Sequence, residues 1–301
     1  SAGAILFAVA PMLTGGAGMT PSVLAQVGIG MLFAMPALGL LSVFSARERA
    51  TPAGGHRPER PWVLIREVWT NRPFRAFLGI FLVGGLGFGM YGGLYFLYIQ
   101  TYLGIGDAIS IILILMMSLG FVSLPLWMRI IQKIGKRRAW ALGLCLVAVA
   151  SLLMALIEPG PNAKPQFIAL LVVMGLCSGT NTLVPYAMQA DVVDYDTLRS
   201  RRDRAGSYFA LLLLIVKVNF AVGAGLGFLI LGLTGYDATA TSHSDHAILA
   251  LKLCAFVVPA ALMLLSAVWV LRFPLSERRN AIIRRRLDAR ARRDNPHPVT
   301  S

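Results

Sequence analysis

Residues 190–218 read "ADVVDYDTLRSRRDRAGSYFALLLLIVKV". Eight charged side chains crowd between Asp191 and Arg204. Uncharged, largely apolar sequence lies on both sides of them. A single lysine, Lys217, then stands inside the following apolar run. This alternation sets the fold class. An uninterrupted apolar run longer than about 18 residues is a bilayer span. A helix satisfies its own backbone donors and acceptors, so it can cross hydrocarbon at low cost. The charged cluster marks where the chain leaves the membrane before re-entering it.

The same pattern repeats along the chain. Candidate spans lie at about 2–18, 22–45, 74–103, 108–131, 139–157, 166–190, 206–234 and 247–273, eight in all. Hydrophobic residues make up 56% of the sequence and charged residues 14%, against about 25% charged in a soluble domain. No alternating, period-two pattern competes with these runs, which argues against a β-barrel. The expectation is an all-α membrane protein.

The net charge of +14 resolves by segment. Of the 28 lysines and arginines, 24 fall in the stretches 46–73, 129–138 and 199–204 and in the tail from 272. The loops at the opposite ends of the spans hold only Lys164. This bias follows the positive-inside rule, so the basic side and the C-terminus are expected in the cytoplasm. It fits contact with an anionic leaflet, and no nucleic-acid partner is expected. The stretch 46–73 contains "TPAGGHRPERP", whose prolines and glycines prevent a regular helix. It reads as a linker, with segment 1–45 before it, a bundle at 74–275 after it and a basic tail at 276–301. The first residue is Ser1, and the chain is expected to be the later part of a longer protein. Cys145, Cys177 and Cys254 all fall inside spans and read as small buried apolar residues.

The resemblance sits in the opening stretch. An apolar helix ends in "ADVVDY", a short basic loop follows, and then comes a span with one central lysine and a glycine-rich second half. "YGGLYFLYIQTYLG" at 91–104 adds a second block. From about 70 to 275 the chain resembles the glycoside–pentoside–hexuronide:cation symporters, the melibiose-permease-like branch of the major facilitator superfamily. The resemblance implies twelve helices in two six-helix bundles, of which this chain holds the equivalents of helices 5–12. It implies that Asp191 and Asp194 join ion pairs that close the cytoplasmic side, and that Lys217 is important to transport. It also implies a coupling cation, H+ or Na+, whose site lies on earlier helices. The chain departs from the family at Leu212 and Leu213, where melibiose-type members carry polar residues.

The residues support these roles in their own terms. Asp191 and Asp194 are three apart and share a helix face, with Tyr195 suited to the interface. Arg199 and Arg201 are the nearest cations in sequence, and the five residues are expected to form a cytoplasmic gate. Lys217 lies near mid-span, where a lysine costs roughly 2.5–3.5 kcal/mol on insertion scales. That cost points to a polar cavity. Tyr91, Tyr95 and Tyr98 share one face by their spacing, and Asn219 is a further polar residue within a span. Together with Lys217 they are expected to line a substrate or coupling site. Pro185 is expected to kink its helix. Gly89 and Gly93, and Gly223 and Gly227, form small-xxx-small pairs that allow close helix approach. "HSDH" at 243–246 offers too few ligands for a metal site, and no catalytic constellation is present. The basic tail is either an amphipathic helix on the inner leaflet or a solvated extension. The expected function is cation-coupled symport of a sugar or glycoside by a monomer, in contact with membrane lipids of the bacterial inner (plasma) membrane. The alternative is a lysolipid carrier or scramblase, which the leucines beside Lys217 favour. No cofactor and no enzymatic activity are expected.

Overall fold

A computed structural model describes residues 69–202, 204–236 and 244–294, together with a few helical residues between 29 and 41. The spans expected before residue 45 and most of the linker lie outside the described residues.

Six long apolar helices account for most of the described chain. Helix α1, Arg72–Leu97, continues through a π-helical turn at Tyr98–Tyr102. Asn71 caps its start by accepting a hydrogen bond from Phe74 N at 3.2 Å, and Pro73 sits in the first turn where no N–H is needed. After a short 3-10 turn come α2, Ile109–Ile134, and α3, Lys136–Ala155. Gly135 joins them with φ +87, a left-handed conformation that glycine adopts without strain. Helix α4 runs from Ala163 to Ser200 and α5 from Ala205 to Leu233. Helix α6, Asp245–Leu271, carries a second π turn at Leu253–Val257. A seventh helix, α7, Glu277–Asp294, is basic and follows the last span.

The spans pack as an arc in the order α2, α4, α3, α6, α1, α5. Aromatic side chains fill its interior. Tyr98 meets Phe256 edge-on at 4.6 Å, and Phe74 meets Tyr208 at 4.8 Å. The two π turns face each other through the first of these pairs. In a bilayer, close packing rather than escape from water holds helices together. The α1–α5 contact shows how close the approach is. A Cβ on Gly223 would sit 2.6 Å from Leu86 O and 2.8 Å from Gly89 Cα. The helices at the two ends of the arc are the least covered. On α5, Leu213, Leu214, Phe220 and Phe228 are exposed, and on α2 Phe121, Val122 and Leu126 are exposed.

Two sequence expectations change. The span expected to end at 190 continues as helix to Ser200. Asp191 and Asp194 therefore sit well inside α4, not at its end, and do not oppose a helix terminus. Nothing in "ADVVDYDTLRS" breaks a helix, and the chain turns only at Arg201, with φ +58. Pro185 lies inside α4, which continues as helix on both sides of it. Within the basic tail, residues 277–294 are not a free extension, although most of their side chains are exposed. This stretch is a helix docked on α4, with Ile283 buried and Leu287 partly buried against the bundle.

At the end of the bundle away from the arginines, Lys164 pairs with Asp107 at 2.8 Å. The hydrogen bond from Lys164 holds the Asp107 carboxyl below the usual carboxylate range.

Candidate functional site

A charged network at the arginine-rich end and a single lysine at mid-span stand out.

At the arginine-rich end, Asp191 is 2% exposed and uses both carboxylate oxygens. Lys136 Nζ donates to Oδ2 at 2.6 Å, and Arg284 Nη2 donates to Oδ1 at 3.1 Å. Arg284 Nε also donates to Asp194 Oδ2 at 3.1 Å. Four charges from α3, α4 and α7 thus alternate in one network. Lys136 also lies 3.5 Å from Ala187 O. The geometry follows from local structure. Asp191 and Asp194 are one turn apart, so one guanidinium can span both. Glu277, the first residue of α7, accepts a hydrogen bond from Lys136 N at 2.7 Å. Gly135 has no side chain to cap α3, and this carboxylate takes that role at the positive end of the helix. Farther along α7, Arg290 donates to Leu198 O at 3.0 Å.

The expected acids are therefore brought together, but with other partners. Arg199 and Arg201 are exposed and make no ion pair among the described residues. Their nearness in sequence misleads because α4 carries them two turns past the acids. The true partners lie 55 and 93 residues away, and no local spacing signals them. Tyr195 is half-buried beside the start of α1 and the face of α7.

A buried polar cluster lies next to this network. Asn71 donates to the Tyr208 hydroxyl at 3.0 Å, and Gln189 Nε2 donates to Tyr208 O at 2.8 Å. Asp196 and Arg204, both nearly buried, approach to 3.8 Å. The cluster ties the starts of α1 and α5 to α4.

At mid-span, Lys217 is exposed on α5. It lies 12 residues into the helix from Ala205, or about 18 Å at 1.5 Å per residue. The buried stripe of α5 is Tyr208, Leu212, Asn219, Gly223, Gly227 and Leu231. Two residues before Asn219 is about 200° round the helix, so Lys217 points away from its own bundle. Leu213, Leu214 and Phe220, three or four residues away, share its face and are 53%, 58% and 56% exposed. The lysine makes no hydrogen bond or ion pair among the described residues. Of the two leucines noted in the sequence, Leu212 is fully buried and Leu213 flanks the lysine.

The other polar candidates are placed differently. Tyr91, Tyr95 and Tyr98 share a face as expected, but it is the face turned into the bundle. Tyr91 contacts Met174 Sδ at 3.5 Å and Tyr95 contacts Met116 Sδ at 4.0 Å. The Tyr98 hydroxyl lies 3.0 Å from both Met154 O and Ile157 O at the end of α3. Asn219 is buried and donates to Phe81 O on α1 at 2.9 Å. These four residues do not share a surface with Lys217. Spacing gave their common face, but not the direction in which it points. Among the described residues no group of three or more His, Cys, Asp or Glu could hold a metal ion.

The long apolar helices can be set beside comparison with known proteins. A family model described as MFS/sugar transport protein matches residues 1–277. The chain belongs to this family. It is an all-α integral membrane protein of the major facilitator type. It is similar to an uncharacterized symporter of Synechocystis, 25% identical over 75% of this chain and 42% of the relative. It is similar to the sodium-dependent lysophosphatidylcholine symporter 1 of Xenopus tropicalis, 26% identical over 72% of this chain and 41% of the relative. The glucuronide carrier protein homolog of Escherichia coli is 25% identical over 60% of this chain and 39% of the relative. The chain spans about two fifths of the length of these curated relatives.

Proposed function

We propose that this chain forms part of a cation-coupled secondary transporter working by alternating access, and that its substrate is amphipathic and anionic, as a lysophospholipid is. The observation that carries this reading is the α5 face: one unpaired ammonium, Lys217, in a strip of exposed Leu213, Leu214 and Phe220. An ammonium in such surroundings favours a phosphate or carboxylate, and the flanking side chains offer an apolar tail a place to lie. The uncovered faces of α2 and α5 would meet the other bundle across the transport path. The network of Lys136, Asp191, Arg284 and Asp194 would belong to the cytoplasmic closure, at the end that the positive-inside rule places in the cytoplasm.

A sugar or glycoside is the second reading. The family description and the similarity to the glucuronide carrier homolog support it. A glucuronide also carries a carboxylate for Lys217. The buried positions of Tyr91, Tyr95 and Tyr98 favour it less, because aromatic faces for stacking a sugar ring are turned inward.

The test is uptake into proteoliposomes by the full-length protein, with and without a sodium or proton gradient, using labelled lysophosphatidylglycerol and a labelled glucuronide. The lysophospholipid should accumulate with a gradient, and Lys217→Leu should abolish this at equal reconstitution. Uptake of the glucuronide alone moves the assignment to the second reading. Wild-type uptake of every substrate by Lys217→Leu removes the lysine from the site.

A further inference from the structure

A groove of about 530 Å3 opens at the arginine-rich end, between the start of α1, the end of α4 and the docked helix α7. Its floor is apolar, with Leu198, Leu275 and Ile283 among the lining side chains. Arg72, Arg279 and Arg286 also line it, and no carboxylate among the described residues does.

The pattern on α7 is regular. Arg279, Ile282, Ile283 and Arg286 are spaced i, i+3, i+4 and i+7, so they fall on one face. Two guanidiniums flank two isoleucines. Arg72 adds a third guanidinium from the opposite wall. The side chains of Arg72 and Arg286 have no hydrogen bond or ion pair among the described residues. Arg279 spends one N–H on Pro274 O at 3.2 Å and keeps its other donors. Asp191 and Asp194 are engaged elsewhere, with Arg284 and Lys136. Three guanidiniums therefore line a largely apolar groove with no counter-ion among the described residues. Ile282 remains 46% exposed.

We propose that this groove binds an anionic phospholipid of the surrounding bilayer, with the phosphodiester held by Arg72, Arg279 and Arg286 and the first part of an acyl chain lying on Leu198, Leu275 and Ile282. Guanidiniums match phosphate oxygens in geometry as well as charge. A free phosphate would use the rim and leave the apolar floor unused, and a zwitterionic lipid brings its own cation to three others. The lipid would pin α7 across the ends of α1 and α4, and so hold Arg284 over Asp191. The site does not depend on what the transporter carries.

The experiment uses the full-length protein in nanodiscs of phosphatidylcholine with a minor fraction of phosphatidylglycerol. Lipids that stay bound through a detergent wash are counted by mass spectrometry. Wild-type protein should retain phosphatidylglycerol above its share of the nanodisc. R72Q/R279Q/R286Q should lose this enrichment, by about fivefold per arginine removed. R278Q/R285Q/R293Q removes the same charge outside the groove and should keep it. Ile282→Asn should lower retention with all three arginines present. Equal losses in both triple variants would show charge attraction without a site and overturn the proposal. No loss in either variant overturns it too, as expected if segment 42–68 fills the groove. Full displacement of the lipid by inorganic phosphate would replace it with a free-anion site.

Discussion

Lys217 costs roughly 2.5–3.5 kcal/mol at mid-span on insertion scales, and no partner among the described residues offsets that cost. Asp191 shows the opposite arrangement: a nearly buried acid with a cation on each oxygen. Breaking a fully buried pair costs about 3–5 kcal/mol. Lys136 and Arg284 are 24% and 55% exposed, so water screens part of the loss. Asp191→Asn should therefore destabilise the protein by about 1–3 kcal/mol. Asp194→Asn should cost less than about 1 kcal/mol, since Asp194 and its arginine are both partly exposed. Thermal unfolding of the two variants in the same detergent checks this order, and equal shifts would contradict it. The acids were legible in the sequence by their spacing. Their partners were not, because Lys136 and Arg284 look like ordinary loop and tail cations until the helices are placed side by side.

At the scale of elements, the α1–α5 contact depends on backbone meeting backbone. Leu86 O and Gly89 Cα cannot swing aside as a side chain could, so Gly223→Val should separate the helices and cost about 1–3 kcal/mol. Gly225→Val is the matched control, because nothing lies within 4 Å of a Cβ there. Both variants should be purified and compared by thermal unfolding, and a Gly223→Val protein as stable as the control would remove this contact from the account. The apolar runs announced the six helices, and the small-xxx-small spacing announced Gly223. The length of α4 was hidden because charge marks the edge of hydrocarbon, not the end of a helix. Tyr91, Tyr95 and Tyr98 fell on one face as spacing requires. Which way that face turns depends on Phe167 and Phe256, which come from other helices.

At the scale of the whole molecule, the charge bias sets a direction across the membrane. Cysteine at Arg285 and cysteine at Glu158 lie at opposite ends of the bundle, and both positions are exposed. In intact cells an impermeant thiol reagent should label Glu158→Cys quickly and Arg285→Cys only after lysis. The reverse pattern would invert the orientation and move the charged network to the outer side. That network also carries an order in time. Lys136 is made 55 residues before Asp191, and Arg284 is made 93 residues after it. At about 5–20 residues per second, the ribosome delivers the second cation roughly 5–20 seconds after the acid. During that interval Lys136 is the one of the two cations already made. A chain halted after Leu275 keeps the six spans of the described residues but lacks this last fastening, so a premature stop before Arg284 would release a membrane-inserted bundle with its acid half covered.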